Sequence, residues 1–372
     1  MSRIPRKNKR TTRARSKNSK NNEISMEDDE PAAVPGKDPM MAYGEKAIRL
    51  TVNWIIKTNA APGGLADWYA KQILDSKESS KSESISANFA AKNRMADLPC
   101  IETTRIKLKH LADGQKDYIH ANLVKTIYAE RTYIATQHPM ESTFEDFWRM
   151  VFYENVDTII AVFAQEDDLP LYFPNEAGKF ANYGKFFVNN RKVTQPTVKY
   201  TPVIHQIEIL PEGCSNSRII TLLHYAYWPK NQFPVSPRIV MKTLRCVKSD
   251  KTTNGPLLIH CSNGLNRVGC FILTDLMFDL AFRNIDTDIP KMVKSLRAQR
   301  FNLLSNKLHF VYSCFVFLDY VRIRCKRFNV FPDLLKEINE FEVMINKEIG
   351  LLCVKEPPPA KNNTKKDCTI DE

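Results

Sequence analysis

The sequence predicts an α/β (α+β) fold, a mixed β-sheet flanked by helices, and three observations lead there. From Lys92 onward, short β-rich runs recur between turns. Apolar residues at intervals of three to four separate those runs with amphipathic helices. Finally, 43% hydrophobic residues and 20 Phe in 372 positions suffice for a sizeable core.

In chain order, Ile48, Val52, Ile55 and Ile56 mark a helix over 45–60 that ends at Pro62-Gly63-Gly64. LADWYAKQILDSK continues helically from Leu65, and a Ser- and Glu-rich loop covers 76–86. TRIKL (104–108), YIHANLV (118–124) and TYIATQHP (132–139) read as strands. A helix over 141–155, with Ser142 as candidate cap, precedes the buried strand VDTIIAVFA (156–164). After a long turn-rich passage, HQIEIL (205–210) and RIITLLHYAYWP (218–229) continue the sheet. Ser236 and Pro237 open an amphipathic helix over 236–249. Residues 255–282 run strand, tight loop, helix, and two further helices follow, IPKMVKSLRAQR and SNKLHFVYSCFVFLDYVRIR. One folded unit therefore spans 65–328. A helical extension over 45–64 precedes it and another over 329–354 follows it. A basic tail and linker over 1–44 and a polar tail over 355–372 have no apolar period and read as disordered.

The formal charge of +12 invites a polyanion partner, but residues 1–22 carry nine Lys or Arg and no acid, which leaves +3 for the rest. The basic leader fits a nuclear-import signal, contact with an anionic surface or a solubilising arm, and it lacks interleaved aromatic residues for base stacking. Nucleic acid is therefore not expected as the main ligand. Nine cysteines without a CxxC pair argue against a disulfide framework or a zinc site, and no metal or cofactor is expected. No transmembrane segment is read, since HFVYSCFVFLDYV (309–321) is short and is broken by Asp319. Cytoplasm, nucleus or both is the expected location.

The most informative segment is LLIHCSNGLNRVG (257–269). An apolar strand delivers His260 and Cys261, and a five-residue loop containing Gly264 leads to Arg267 at the start of a helix. Amides at a helix start and in a tight loop favour anions and stabilise a thiolate. Arginine at this spacing can fold back to grip two oxygens of a tetrahedral oxyanion. Cys261 alone would suit a buried structural cysteine equally well. Strand, Cys-x5-Arg and helix together point to nucleophilic attack on phosphorus.

HCSNGLNRVG resembles the signature loop of the protein tyrosine phosphatase family at His260, Cys261, Ser262, Gly264, Arg267 and Gly269. KNRMADLP (92–99) resembles that family's phosphotyrosine-recognition segment. DYIHANLV (117–124) and TYIATQHPMESTFEDFWRM (132–150) resemble its central motifs, and YWPKNQFP (227–234) its general-acid loop. The resemblance, from about 65 to 325, implies a highly twisted central sheet. It also implies phosphate binding by the loop Ser262, Asn263, Gly264, Leu265, Asn266 and Arg267, with His260 and Trp228 in support. Glu166, with Asp167 and Asp168 as alternatives, resembles the carboxylate that fixes the phosphate-binding arginine.

The departures from the family pattern fall on turnover. Lys230 stands where active members carry the general-acid Asp. Val268 replaces a hydroxyl that helps the cysteine leave, and Ser305 and His309 replace two glutamines that order the hydrolytic water. Lysine near its reference pKa is poorly matched to serve as acid and base in turn. Met95 replaces the tyrosine that stacks on substrate, whereas Asp97 is kept where the family holds a peptide backbone. These features imply a phosphotyrosine-protein-binding domain impaired in catalysis, a pseudophosphatase. The competing expectation is an active phosphatase working through a cysteinyl-phosphate.

Overall fold

The computed structural model describes residues 35–75, 84–126, 129, 131–196, 201–228, 232–234, 236–248 and 255–349. Among them nine strands form one mixed sheet: β1 Arg105–Lys107, β2 Tyr118–Val124, β3 Tyr133–Gln137, β4 Thr158–Val162, β5 Phe180–Tyr183, β6 Phe186–Thr194, β7 Val203–Pro211, β8 Arg218–Tyr225 and β9 Leu257–Cys261. The spatial order is β1-β2-β3-β9-β4-β8-β7-β6-β5. β3, β9, β4 and β8 run parallel, and the outer neighbours pair antiparallel. Four adjacent strands thus end on the same edge, the crevice at which open α/β sheets bind ligands.

Helices α1 Pro39–Ala60, α2 Gly64–Tyr69, α3 Phe144–Tyr153, α4 Arg238–Lys248, α5 Asn266–Phe282, α6 Ile289–Gln299, α7 Lys307–Phe328 and α8 Pro332–Ile349 complete the fold. Alternation along the inner strands feeds two cores. Leu257, Ile259 and Ile160 join α1, α4, α5 and α7 on one face, while Leu258, Ile159 and Ala161 meet α3 on the other. α5 is buried on nearly every side, from Arg267 to Ala281, because α1, α4 and α7 enclose it. α1 comes so close to α5 that a Cβ on Gly44 would lie 2.6 Å from the Ala281 carbonyl oxygen.

Three local expectations are corrected. The first helix begins at Pro39, inside the stretch read as linker. The carboxylate of Asp38 accepts from the N–H groups of Met40 and Met41, and proline fits the first helical position. The turn-rich passage before 205 contains the β5–β6 hairpin, which turns at Gly184 with φ of 58°. Thr143, and not Ser142, stands at the N-cap of α3 without a side-chain cap bond to it, its Oγ1 accepting instead from the preceding Met140 N–H at 2.9 Å. Ser236 does cap as expected, with Oγ 3.4 Å from the Arg238 N–H. The polar tail and most of the basic leader and its linker lie outside the described residues.

Asp38 also locks α1 to the domain. Its two oxygens accept from Nε and Nη2 of Arg324 on α7, both at 2.7 Å, and both side chains are buried. Asp38→Ala would leave that guanidinium buried without its counter-ion. The expected cost is about 3–5 kcal/mol, read as a lowered urea midpoint; a midpoint within error of wild type would refute the assignment.

Candidate active site

The loop from Cys261 to Arg267 crosses the edge where the parallel strands end. β9 delivers Cys261, 2% exposed, and α5 begins five residues later at Asn266. Gly264 has φ of +71°, and a Cβ there would sit 2.2 Å from the Thr136 carbonyl oxygen, so glycine is required. The loop's carbonyls are held from beneath. Arg300 donates Nε to Gly264 O at 2.7 Å and Nη2 to Asn263 O at 3.2 Å, while Nη1 reaches Asn122 Oδ1 at 2.9 Å. The His138 N–H binds the carbonyls of Cys261 and Ser262 at 2.8 and 3.1 Å. In a trans peptide a carbonyl drawn downward turns the following N–H the other way, so these anchors raise loop amides toward the Cys261 side. The Leu265 N–H bonds instead to Asn263 Oδ1 at 3.3 Å.

Arg267 is 5% exposed and tightly bound. Nη1 and Nη2 donate to Asp167 Oδ2 and Oδ1 at 2.6 and 3.0 Å, and Nη1 also donates to Trp228 O at 2.7 Å. Of the five guanidinium donors, Nε–H and the second Nη2–H remain for the Cys261 sulfur and an oxyanion beside it. Burial works to lower this arginine's pKa, but attraction to Cys261 and Asp167 prevails and raises it. The guanidinium is therefore a permanent cation at the cysteine.

The carboxylate on Arg267 is Asp167, which corrects the assignment to Glu166. A 3₁₀ turn at Gln165–Asp167 places Asp167 Oδ2 on the Ala164 N–H at 2.9 Å and directs its carboxylate inward, 1% exposed, whereas Glu166 lies exposed.

Ser305 donates Oγ to Asn266 Oδ1 at 3.1 Å, and the same oxygen accepts the Asn306 N–H at 2.9 Å. Asn266 thus ties the loop to the segment before α7 through its side chain. Val268 is fully buried in the apolar core. His309, grouped with Ser305 in the sequence, lies instead in an aromatic stack against Trp228 and Phe233. Met95 is exposed, with its sulfur 3.7 Å from Asn263 Nδ2, and Asp97 is exposed in the same segment. Arg94 fastens that segment beside the loop, donating to the carbonyls of His138 and Pro139 at 2.6 and 3.0 Å. Lys230 lies outside the described residues.

Sequence reasoning missed the support around His260. Its Nε2 lies 2.7 Å from the Tyr172 hydroxyl, and its ring meets His138 edge-on at 5.1 Å. His138 Nε2 lies 2.8 Å from the Pro170 carbonyl, which accepts only, so that nitrogen carries the proton. Neither Tyr172 nor His138 belongs to a periodic pattern that would have flagged it.

The profile of the family described as Protein-tyrosine phosphatase matches residues 89–319, more than half of the chain. Tyrosine-protein phosphatase 3 of Dictyostelium discoideum is 30% identical over 254 residues, covering 62% of this chain and 25% of that protein. The rat tyrosine-protein phosphatase non-receptor type 20 is 31% identical over 240 residues, covering 62% of this chain and 54% of the relative. The rat receptor-type tyrosine-protein phosphatase zeta is 31% identical over 235 residues, covering 59% and 10%. The chain thus spans about half or less of the curated relatives it matches.

Buried neutral histidines make the site acid-sensitive. Burial, the largest influence on each, holds His138 and His309 down to about 3, His120 to about 4 and His260 well below its ordinary value. In the unfolded chain the same rings take up protons as pH falls through about 6.5. Their stability contribution is therefore complete above that pH and lost on the way down to the folded values. The urea midpoint should fall steeply between pH 7 and 5; a flat or rising midpoint would contradict this.

Proposed function

The chain belongs to the protein-tyrosine phosphatase family, and from that premise we propose that it captures phosphotyrosine proteins while turning them over poorly. One observation carries the capture: Arg267, anchored by Asp167 and the Trp228 carbonyl, turns its remaining Nε–H and Nη2–H toward Cys261, for the sulfur and for an oxyanion beside it. Loop amides and the start of α5 add partial positive charge at the same point. Asp97 and Met95, held next to the loop through Arg94, are the contacts for the peptide and the aromatic ring. Methionine meets that ring through a polarizable thioether, giving contact with less directional preference than a tyrosine.

Impaired turnover is inferred from residue chemistry. Lys230 is an ammonium where the leaving tyrosyl oxygen needs an acid and the later water needs a base. Val268 offers no hydroxyl to the departing cysteine. Ser305, with its hydroxyl on Asn266, is shorter than the glutamine it replaces. The second reading, an active phosphatase, is favoured by Cys261 and Arg267 and by the relatives' names. In that reading the thiolate attacks phosphorus, the tyrosyl oxygen departs with a proton, and water cleaves the S–P bond. The leader 1–22 is proposed to direct the domain to an anionic surface or the nucleus by charge. Among the described residues no helix is long and apolar enough to cross a membrane.

The full chain should bind phosphotyrosine peptides in preference to their unphosphorylated forms by calorimetry, and Arg267→Ala should cost about 2–5 kcal/mol of that binding. Equal affinity for both forms would remove the capture reading.

Single-turnover assays decide between the two readings. Lys230→Asp should raise phosphate release by part of the ~10² to 10⁴ that a positioned general acid supplies. Adding Val268→Thr and Ser305→Gln should raise it further. High wild-type turnover abolished by Lys230→Asp would make the protein an enzyme with unusual acid chemistry.

A further inference from the structure

We propose that His309 is a positioning residue for Arg267, acting through Trp228. The imidazole lies parallel to the indole, at 4° and 5.8 Å between centroids. Phe233 closes the next side, 4.9 Å from His309, and Tyr312 packs on both Phe233 and Trp228 at 4.7 and 5.4 Å. The indole N–H of Trp228 is committed to Gln232 O at 2.8 Å, which fixes its edge while His309 fixes its face. With both constrained, the Trp228 carbonyl is directed onto Arg267 Nη1 at 2.7 Å. That bond, with the Asp167 fork, leaves the Nε and Nη2 flank of the guanidinium for the anion.

The histidine serves here through its ring face. Nδ1 is buried with no hydrogen-bonding partner among the described residues, so the nitrogen does no visible work. Burial, followed by the charge of Arg267, keeps the ring neutral across the physiological range, so it does not oppose the arginine. Its placement is firm. His309 lies in the first turn of α7, capped by Asn306 Oδ1 on the Leu308 N–H at 2.9 Å, and Asn306 is bonded to Asn266 at the start of α5. The glutamine that the family resemblance implies at this position has no aromatic face to offer an indole.

This inference rests on the anion-cradle reading of Arg267, and its test is independent of phosphotyrosine recognition. In the full chain, the rate of S–C bond formation at Cys261, with loss of iodide, is measured by peptide mass spectrometry for iodoacetate and for iodoacetamide. The anionic-to-neutral rate ratio reports how well a cation is presented at the sulfur. His309→Phe, which keeps a flat ring, should retain the wild-type ratio, while His309→Gln and His309→Ala should lower it about tenfold, the scale of small misplacements of a binding group. Thermal melts establish that each variant is folded, and the Gln and Phe pair suffices if Ala is not. An unchanged ratio in folded Gln and Ala variants, or a Phe variant as low as Gln, overturns the proposal. Phosphopeptide binding measured alongside separates the two claims. A responsive ratio in a protein that ignores phosphopeptides removes the proposed ligand and leaves His309 in its role; peptide binding with an unresponsive ratio does the reverse.

Discussion

Arg267 is where the chain's separate segments are joined into a site. Its own backbone opens α5, its fork is held by Asp167 from the turn after β4, and its Nη1 is shared with the carbonyl of Trp228 beyond β8. These elements are near one another only because β3, β9, β4 and β8 run parallel and end on one edge. A buried guanidinium needs several acceptors at defined positions, and each fixes a strand end relative to the others. The arginine is at once a cation beside Cys261 and a tie between strand ends.

A second arginine works under the loop by different electrostatics. Arg300 is fully buried with no carboxylate partner among the described residues, its donors going to Asn122 and two loop carbonyls, and burial lowers its pKa. A carboxylate there would cancel the positive field below Cys261. Neutral oxygens satisfy the hydrogen bonds and leave that field in place, which suits a site that receives an anion. Arg267 differs because its partner Asp167 occupies one end of the fork and leaves the other toward Cys261.

The substitutions divide along the same physical line. The parts proposed to hold an anion, Gly264, Arg267, Arg300 and the loop amides, depend on geometry imposed by the sheet edge. In the proposed reading, positions 230, 268 and 305 would serve proton transfer, the leaving cysteine and water, which need particular functional groups beyond shape. Val268 fits the apolar core fully, so packing alone accounts for a valine there.

The amino-acid sequence determined what is local. Cys261 through Arg267 are contiguous, flanked by an apolar strand and a helix, so strand, loop and helix could be read from one short segment. The strands around Tyr118, Tyr133 and Ile159 were legible for the same reason, since alternation and β-branched residues act over a few neighbours. The β5–β6 hairpin was missed because its half-exposed strands carry a weak pattern, and α1 extended to Pro39 because the cap at Asp38 also pairs with Arg324, 286 residues away. Only the tertiary structure chose Asp167 over its neighbour Glu166. Adjacent carboxylates look alike in sequence, and a 3₁₀ turn decides which one faces Arg267. It likewise revealed the contact of His309 with the face of Trp228, because a ring's neighbours are set by packing, and this one arrives from the segment after β8.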